Sequence, residues 1–198
     1  MPQCLRLDIG EDFWGFWLKG DGRMKQLLLV IDMQNDFIDG VLGSKEAMSI
    51  VPRVKEKIEN FCGKVLFTRD THMENYMETQ EGKKLPMPHC MKYTKGWEIH
   101  PELEVFRKEE AIDKPTFGSD VLALRMKKEN KEEKIDRITL IGVCTDICVI
   151  SNAMLLKTFL PETEIVVDAS CCAGVTPESH KTALQAMKAC QIVIENER

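Results

Sequence analysis

The sequence has no excess of basic residues. Lys and Arg number 27 against 32 Asp and Glu, a formal net charge of −5. That balance argues against nucleic acid as the main partner. No apolar run approaches the roughly 20 residues a membrane-spanning helix needs, so no membrane partner is expected. The start of the chain has no basic stretch leading into a long apolar core, so it does not read as a secretory signal. Eight cysteines are present, but no Cys-x-x-Cys pair. Without a signal, they fit a reducing cytoplasm better than a disulfide scaffold. There is no internal repeat and no linker. What is present is ordinary for one globular domain with a full core: 198 residues, 43% hydrophobic and 30% charged.

Residues 1–23 stand apart. Phe13, Trp14, Phe16 and Trp17 cluster among Asp8, Glu11 and Asp12, and Met24-Lys25 directly precedes the first strand. The segment reads as an N-terminal extension. Either its aromatics pack on the domain or on a neighbouring subunit, or it is a flexible leader. Residues 24–198 read as the single domain.

The domain is organised around Arg137 to Ala153. Ile138, Leu140, Ile141 and Val143 form a β-branched apolar run that suits a strand covered on both faces. Gly142 lies near its end, and Thr145 and Asp146 are N-cap types. Ile147, Ile150, Ala153 and Met154 then recur at helical spacing. Cys148 therefore falls in the first turn of a helix after a central strand. A helix N-terminus favours a thiolate and stabilises an oxyanion. In open α/β sheets, that edge is where ligands bind. A free cysteine there is otherwise a small buried hydrophobe.

Leu27 to Ile31 reads as a second buried strand, ending in Asp32. A helix is expected over Met48 to Phe61 and a strand over Lys64 to Arg69, ending in Asp70. From Thr71 to Pro101 little periodicity appears, and so long a loop region in a compact domain is usually functional. Ala111 to Lys114 reads as a short strand stopped by Pro115. A helix capped by Ser119 or Asp120 follows, running into a solvated charge run over 127–134. A strand is expected over Glu164 to Asp168. A helix opens at Pro177 with Ala183, Ala186, Met187 and Cys190 inward, and a final strand spans Gln191 to Ile194. Strands alternating with helices predict a three-layer, mostly parallel α/β domain.

Asp32, Lys114 and Cys148 all fall at or just past strand ends, so a parallel sheet can bring them to one edge. A base, a cation and a thiol are the parts an activated sulfur nucleophile needs. Separately, each has an ordinary reading as a turn cap, a surface lysine and a core residue.

Three stretches resemble the motifs of the isochorismatase-like cysteine hydrolases. They are Leu-Val-Ile-Asp-Met-Gln-Asn-Asp-Phe (29–37), Asp-Lys-Pro (113–115) and Gly-Val-Cys-Thr-Asp-Ile-Cys-Val (142–149). The resemblance implies a six-stranded, mostly parallel sheet between helices and a catalytic triad of Asp32, Lys114 and Cys148. It also implies a cis peptide at Val143–Cys144 and an oxyanion hole from the backbone N–H groups of Cys144 and Cys148. True isochorismatases lack the nucleophilic cysteine, so its presence here implies C–N hydrolysis.

A second set lies in the long loop. Asp70 and His72, at i and i+2, share one side of an extended backbone. With Glu81 and His89 they are ordinary ligands for zinc, manganese or iron. The set resembles the metal site of nicotinamidases within that family, which implies one divalent metal ion, with zinc the first expectation. The third ligand there is often His. This chain has none, and Glu81 is the expected replacement, with Glu74 and Glu78 as rivals. A second departure is the short 114–120 segment, where relatives carry a longer aromatic stretch that Phe117 partly replaces. Phe37, Leu85 and Phe117 are expected to line the substrate pocket.

The resemblance thus implies a homo-oligomeric amidohydrolase, dimer or tetramer, converting nicotinamide to nicotinate and ammonia through a cysteine thioester, a step in NAD salvage. The alternatives are a metal-independent hydrolase of another small amide or ureido compound with the same triad, and a catalytically silent binding partner.

Overall fold

The computed structural model describes residues 24–197, so the reading of residues 1–23 as an extension lies outside the described residues. In chain order the elements are β1 (Gln26–Ile31), α1 (Asn35–Ile38), α2 (Lys45–Glu59), β2 (Lys64–Asp70), α3 (Gln80–Lys84) and α4 (Pro101–Glu104). Then come β3 (Ile112–Lys114), α5 (Asp120–Glu132), β4 (Arg137–Val143), a π-turn (Thr145–Val149) and α6 (Ile150–Phe159). β5 (Glu164–Ala173), α7 (Pro177–Ala189) and β6 (Val193–Glu195) complete the domain.

All six strands pair in parallel, in the order β3-β2-β1-β4-β5-β6. The order reverses between β1 and β4, which opens a crevice beyond their carboxyl ends. Alternate residues of β1 feed two separate cores. Leu27, Leu29 and Ile31 pack with Leu122 and Met126 of α5, Ala153 and Leu156 of α6, and Leu184 and Met187 of α7. Leu28 and Val30 pack with Ile50, Val51, Val54 and Ile58 of α2 and Leu103 of α4. The period-2 strand pattern thus builds a three-layer sandwich with the sheet buried on both faces.

The elements differ from the sequence reading in five places. Helix α2 starts three residues earlier than expected, because the Ser44 hydroxyl accepts from Ala47 N and caps it there. Strand β5 runs to Ala173 rather than stopping at Asp168. After a register shift at the end of β4 it pairs again, Gly142 with Cys172 and Val143 with Ala173. Helix α7 buries Ala183, Leu184 and Met187 and leaves Ala186 and Cys190 exposed. Cys190 falls at the C-cap, where the helical period ends, and Gln191 follows at φ +63°, so β6 begins only at Val193. The stretch after Thr71 is not irregular throughout, since it contains α3, α4 and two 3₁₀ turns.

Gly142 sits at φ +119°, a region L side chains rarely adopt, and a Cβ there would meet the Ile31 carbonyl oxygen at 2.1 Å. That carbonyl is backbone of the central strand and has no room to move. Gly142→Ala is therefore expected to cost about 3 kcal/mol or more. Urea unfolding of the two proteins measures it, and a loss below about 1 kcal/mol would show that the β1–β4 junction relaxes freely.

Candidate active site

Asp32 follows the last residue of β1, directly past a central strand, at φ +48°. It is wholly buried. The Thr68 hydroxyl, from neighbouring β2, donates to Asp32 Oδ1 at 2.6 Å and accepts from Asp32 N at 3.2 Å. Lys114, the last residue of β3, is also wholly buried. Its Nζ lies 2.6 Å from Asp32 Oδ2, 3.2 Å from Asp70 Oδ1 and 3.4 Å from Cys148 Sγ. It also donates to Thr116 O at 3.2 Å. Asp32 Oδ2 is paired with the ammonium. One carboxylate oxygen therefore accepts from Thr68 and the other faces Lys114.

Cys148 lies in the π-turn, not in a regular α-helical first turn as the sequence suggested. The turn closes by Val149 N donating to Cys144 O at 3.0 Å. π-Turns of this kind recur at functional sites. Asn152 Nδ2 donates to Cys148 O at 2.8 Å, and Val175 N donates to the Asp146 carboxylate at 3.1 Å. The Val143–Cys144 peptide is cis, in line with the resemblance.

Charge and burial set the protonation of this group. Burial pushes the Cys148 thiol well above the ordinary range, the Asp32 carboxylate adds to that, and Lys114 opposes it. This corrects the expectation that the helix N-terminus leaves a ready thiolate: complete burial beside a carboxylate outweighs the favourable terms. Burial likewise raises Asp32 against the pull of Lys114. For Lys114, burial works downward, but Asp32, Cys148 and Asp70 together outweigh it and keep the ammonium charged. Lys114 therefore stays an ammonium, and burial disfavours ionisation of the Cys148 thiol.

Replacing Lys114 would leave two buried carboxylates without their cation. Lys114→Met is expected to destabilise the fold by about 3–5 kcal/mol and to slow alkylation of Cys148 at neutral pH, since the thiol loses the cation that favours its ionisation. Denaturation and iodoacetamide kinetics test the two halves, and unchanged alkylation would remove Lys114 from the thiol's surroundings.

Beside this group lies a second one. Asp70, His72, Glu81 and His89 each offer a ligand atom, all within 4.8 Å of one another. His72 Nε2 is 2.9 Å from Asp70 Oδ2 and 3.7 Å from Glu81 Oε1, and His89 Nε2 is 3.6 and 3.8 Å from the same two atoms. His89 Nδ1 faces the Met87 carbonyl at 2.9 Å, which fixes the ring with Nε2 inward. His72 Nε2 is buried and turned toward the Asp70 carboxylate without a well-aligned hydrogen bond. Two imidazole nitrogens converging with two carboxylates fit a divalent metal. Glu81 converges here, whereas Glu74 and Glu78 stand exposed.

Three further residues hold the two groups together, and the sequence reading missed them. Gln34 Nε2 donates to Asp70 O at 2.9 Å and to Trp97 O at 2.8 Å, while its Oε1 accepts from Asp70 N at 2.7 Å. Tyr76 is buried against both imidazoles, with ring centroids 4.6 Å from His72 and 5.3 Å from His89. Thr68 was legible in principle: it lies two residues before Asp70 on the same face of β2.

Both groups open into one cavity of about 830 Å³ whose lining includes Phe37, Leu85 and Phe117 with Cys144, Cys148 and His89. Phe37 packs edge-on against His89 at 5.6 Å between ring centroids. A smaller cavity of about 220 Å³ between α2 and α7 contains none of the triad or cluster residues.

The isochorismatase domain model matches residues 26–198. The chain is 32% identical over 179 residues to PncA of Bacillus subtilis (strain 168), described as an uncharacterized isochorismatase family protein, covering 81% of this chain and 93% of that one. It is 24% identical over 181 residues to the nicotinamidase/pyrazinamidase of Mycobacterium tuberculosis (strain ATCC 25618 / H37Rv), covering 83% and 95%. Its fold matches the crystal structure of the pyrazinamidase of Pyrococcus horikoshii in complex with zinc, at a TM-score of 0.70 and 27% identity, covering 86% of this chain and 98% of that one.

Proposed function

Because the chain belongs to the isochorismatase domain family, we propose that it is a cysteine-dependent amidohydrolase that converts nicotinamide to nicotinate and ammonia. The observation that carries this reading is the position of Lys114 Nζ, 2.6 Å from Asp32 and 3.4 Å from Cys148, with Asp70 of the metal-type cluster at 3.2 Å. A thiol and a binding cluster therefore face one cavity, with the base Asp32 buried behind them on Lys114, and relatives named nicotinamidase and pyrazinamidase support amide hydrolysis there.

Asp32 is the base. Its Oδ2 takes the proton from Cys148 Sγ, and the thiolate attacks the amide carbonyl carbon. Lys114 stays charged and offsets the negative charge that passes from Asp32 to sulfur and then to the carbonyl oxygen. Backbone N–H groups of Cys144 and Cys148 receive that oxyanion. As the tetrahedral adduct collapses, Asp32 returns its proton to the departing nitrogen, the C–N bond breaks and ammonia leaves. Asp32 then takes a proton from the attacking water as its oxygen adds to the thioester carbon; the C–S bond breaks, Asp32 returns that proton to the Cys148 sulfur, and nicotinic acid leaves and gives its own proton to ammonia.

Asp70, His72, Glu81 and His89 would hold a divalent ion. When bound, it supplies a Lewis-acid contact for a ring nitrogen and so orients the substrate. Phe37 bounds the ring, and Leu85 and Phe117 line the mouth of the same cavity.

Ammonia release from nicotinamide, measured before and after treatment with a chelator, tests the reading. Turnover that falls on chelation and returns with added zinc or manganese is expected. Chelator-insensitive activity on a different amide, with none on nicotinamide, would replace it with the metal-independent alternative.

A further inference from the structure

The cavity is larger than one ring requires. Its volume of about 830 Å³ lies high in the range of about 300–1,000 Å³ that holds drug-sized ligands. Its two ends also differ. The floor is closed: Cys148, His72 and His89 are all buried, and Phe37 covers His89. The mouth carries exposed apolar side chains beside the polar Gln80, Lys84 and Thr116. Phe117 lines the cavity yet is 44% exposed, and Leu85 lines it yet is 38% exposed. Pro115 and Thr116 complete the wall on the Phe117 side. A single-ring amide whose carbonyl meets Cys148 and whose ring faces the His72–His89 cluster stays on the floor. It leaves the two mouth residues in water. Large apolar side chains left in water at the rim of a cavity mark a ligand surface.

We propose that the preferred substrate is an aromatic carboxamide bearing a second apolar ring, which lies between Leu85 and Phe117 at the cavity mouth. The inference rests on the amidohydrolase reading and names the substrate class for that site. The second ring must leave the amide free for Cys148 and the ring nitrogen free for the cluster. A phenyl group at the ring position adjoining neither of them meets both conditions, so 5-phenylnicotinamide is the probe and nicotinamide its control. The bond broken is the same C–N bond, and ammonia is released from either.

The test is the ratio of kcat/KM for 5-phenylnicotinamide to that for nicotinamide, which does not depend on how much of each preparation is active. In the native protein the ratio is expected at or above one. In Phe117→Ala it is expected to fall by at least about tenfold, and in Phe117→Tyr to stay within about threefold of native. Nicotinamide turnover with a native ratio of a tenth or less would overturn the proposal, as would a ratio unmoved in Phe117→Ala. Absence of turnover on both amides would instead overturn the amidohydrolase reading, and the substrate proposal with it.

Discussion

Cys148→Ala is expected to lower amide turnover by about 10⁴-fold or more while leaving the protein folded. The sulfur is the only atom removed. Cys148 lies in the core under β4, so the substitution costs on the order of 1 kcal/mol, within what a folded domain tolerates. No other thiol takes its place. Cys144 faces the same cavity, but burial first and Asp146 next push it up to about 12. Cys171 and Cys172 lie buried on β5, outside the lining of the cavity. Iodoacetamide should inactivate the native protein in step with labelling of Cys148. Exposed Cys190 will also label, without consequence for turnover. The rate should climb with pH through and beyond the ordinary thiol range, because burial holds the thiol up. Inactivation that follows labelling elsewhere while Cys148 stays unmodified would remove it from the mechanism.

The second large effect concerns the cluster. His72→Ala and His89→Ala are each expected to abolish metal binding and to lower nicotinamide turnover by about 100-fold or more. Each removes one of two imidazoles from a four-donor set whose atoms lie within 4.8 Å. What remains is two carboxylates and one imidazole, and Asp70 is already shared with Lys114 at 3.2 Å. Metal analysis of untreated protein should find about one first-row ion per chain in the native protein and almost none in either variant. A second readout is independent of activity. Added zinc should raise the melting temperature of metal-free native protein, since an ion that binds only the folded state stabilises it, and should leave both variants unmoved. Glu81→Ala should weaken binding without removing it, because Glu81 is the least buried of the four donors. Full metal content in both histidine variants would show that the ion, if any, sits elsewhere.

The positions of Asp32, Lys114 and Cys148 were legible in the sequence for one physical reason. A buried parallel strand announces itself by a continuous apolar run, so its end is marked by the first polar residue after it. Asp32 follows Leu27–Ile31 in that way, and Cys144 to Cys148 follow β4. The cluster was legible through the i, i+2 spacing of Asp70 and His72. The preference for Glu81 over Glu74 and Glu78 came from the family resemblance, because the short turn of α3 has too few residues to give a periodic signal of its own. Gln34 was hidden for a different reason. Its side chain bonds backbone atoms of Asp70 and Trp97, 36 and 63 residues away in sequence, and no local pattern encodes such a partner. The extension of β5 to Ala173 depends on a register shift opposite Gly142, which is visible only once both strands are in place. The thiol's protonation was misjudged because local position suggests a helix-terminal thiolate, whereas burial and the Asp32 charge arise from tertiary packing.

The central claim is that nicotinamide hydrolysis passes through a thioester on Cys148, and hydroxylamine partitioning tests it most directly. A thioester shared between water and hydroxylamine yields nicotinohydroxamate at the expense of nicotinate, in a ratio that rises with hydroxylamine, and Cys148→Ala should make neither. Nicotinate as the sole product at every hydroxylamine concentration, or hydroxamate formed equally well by Cys148→Ala, would contradict the account.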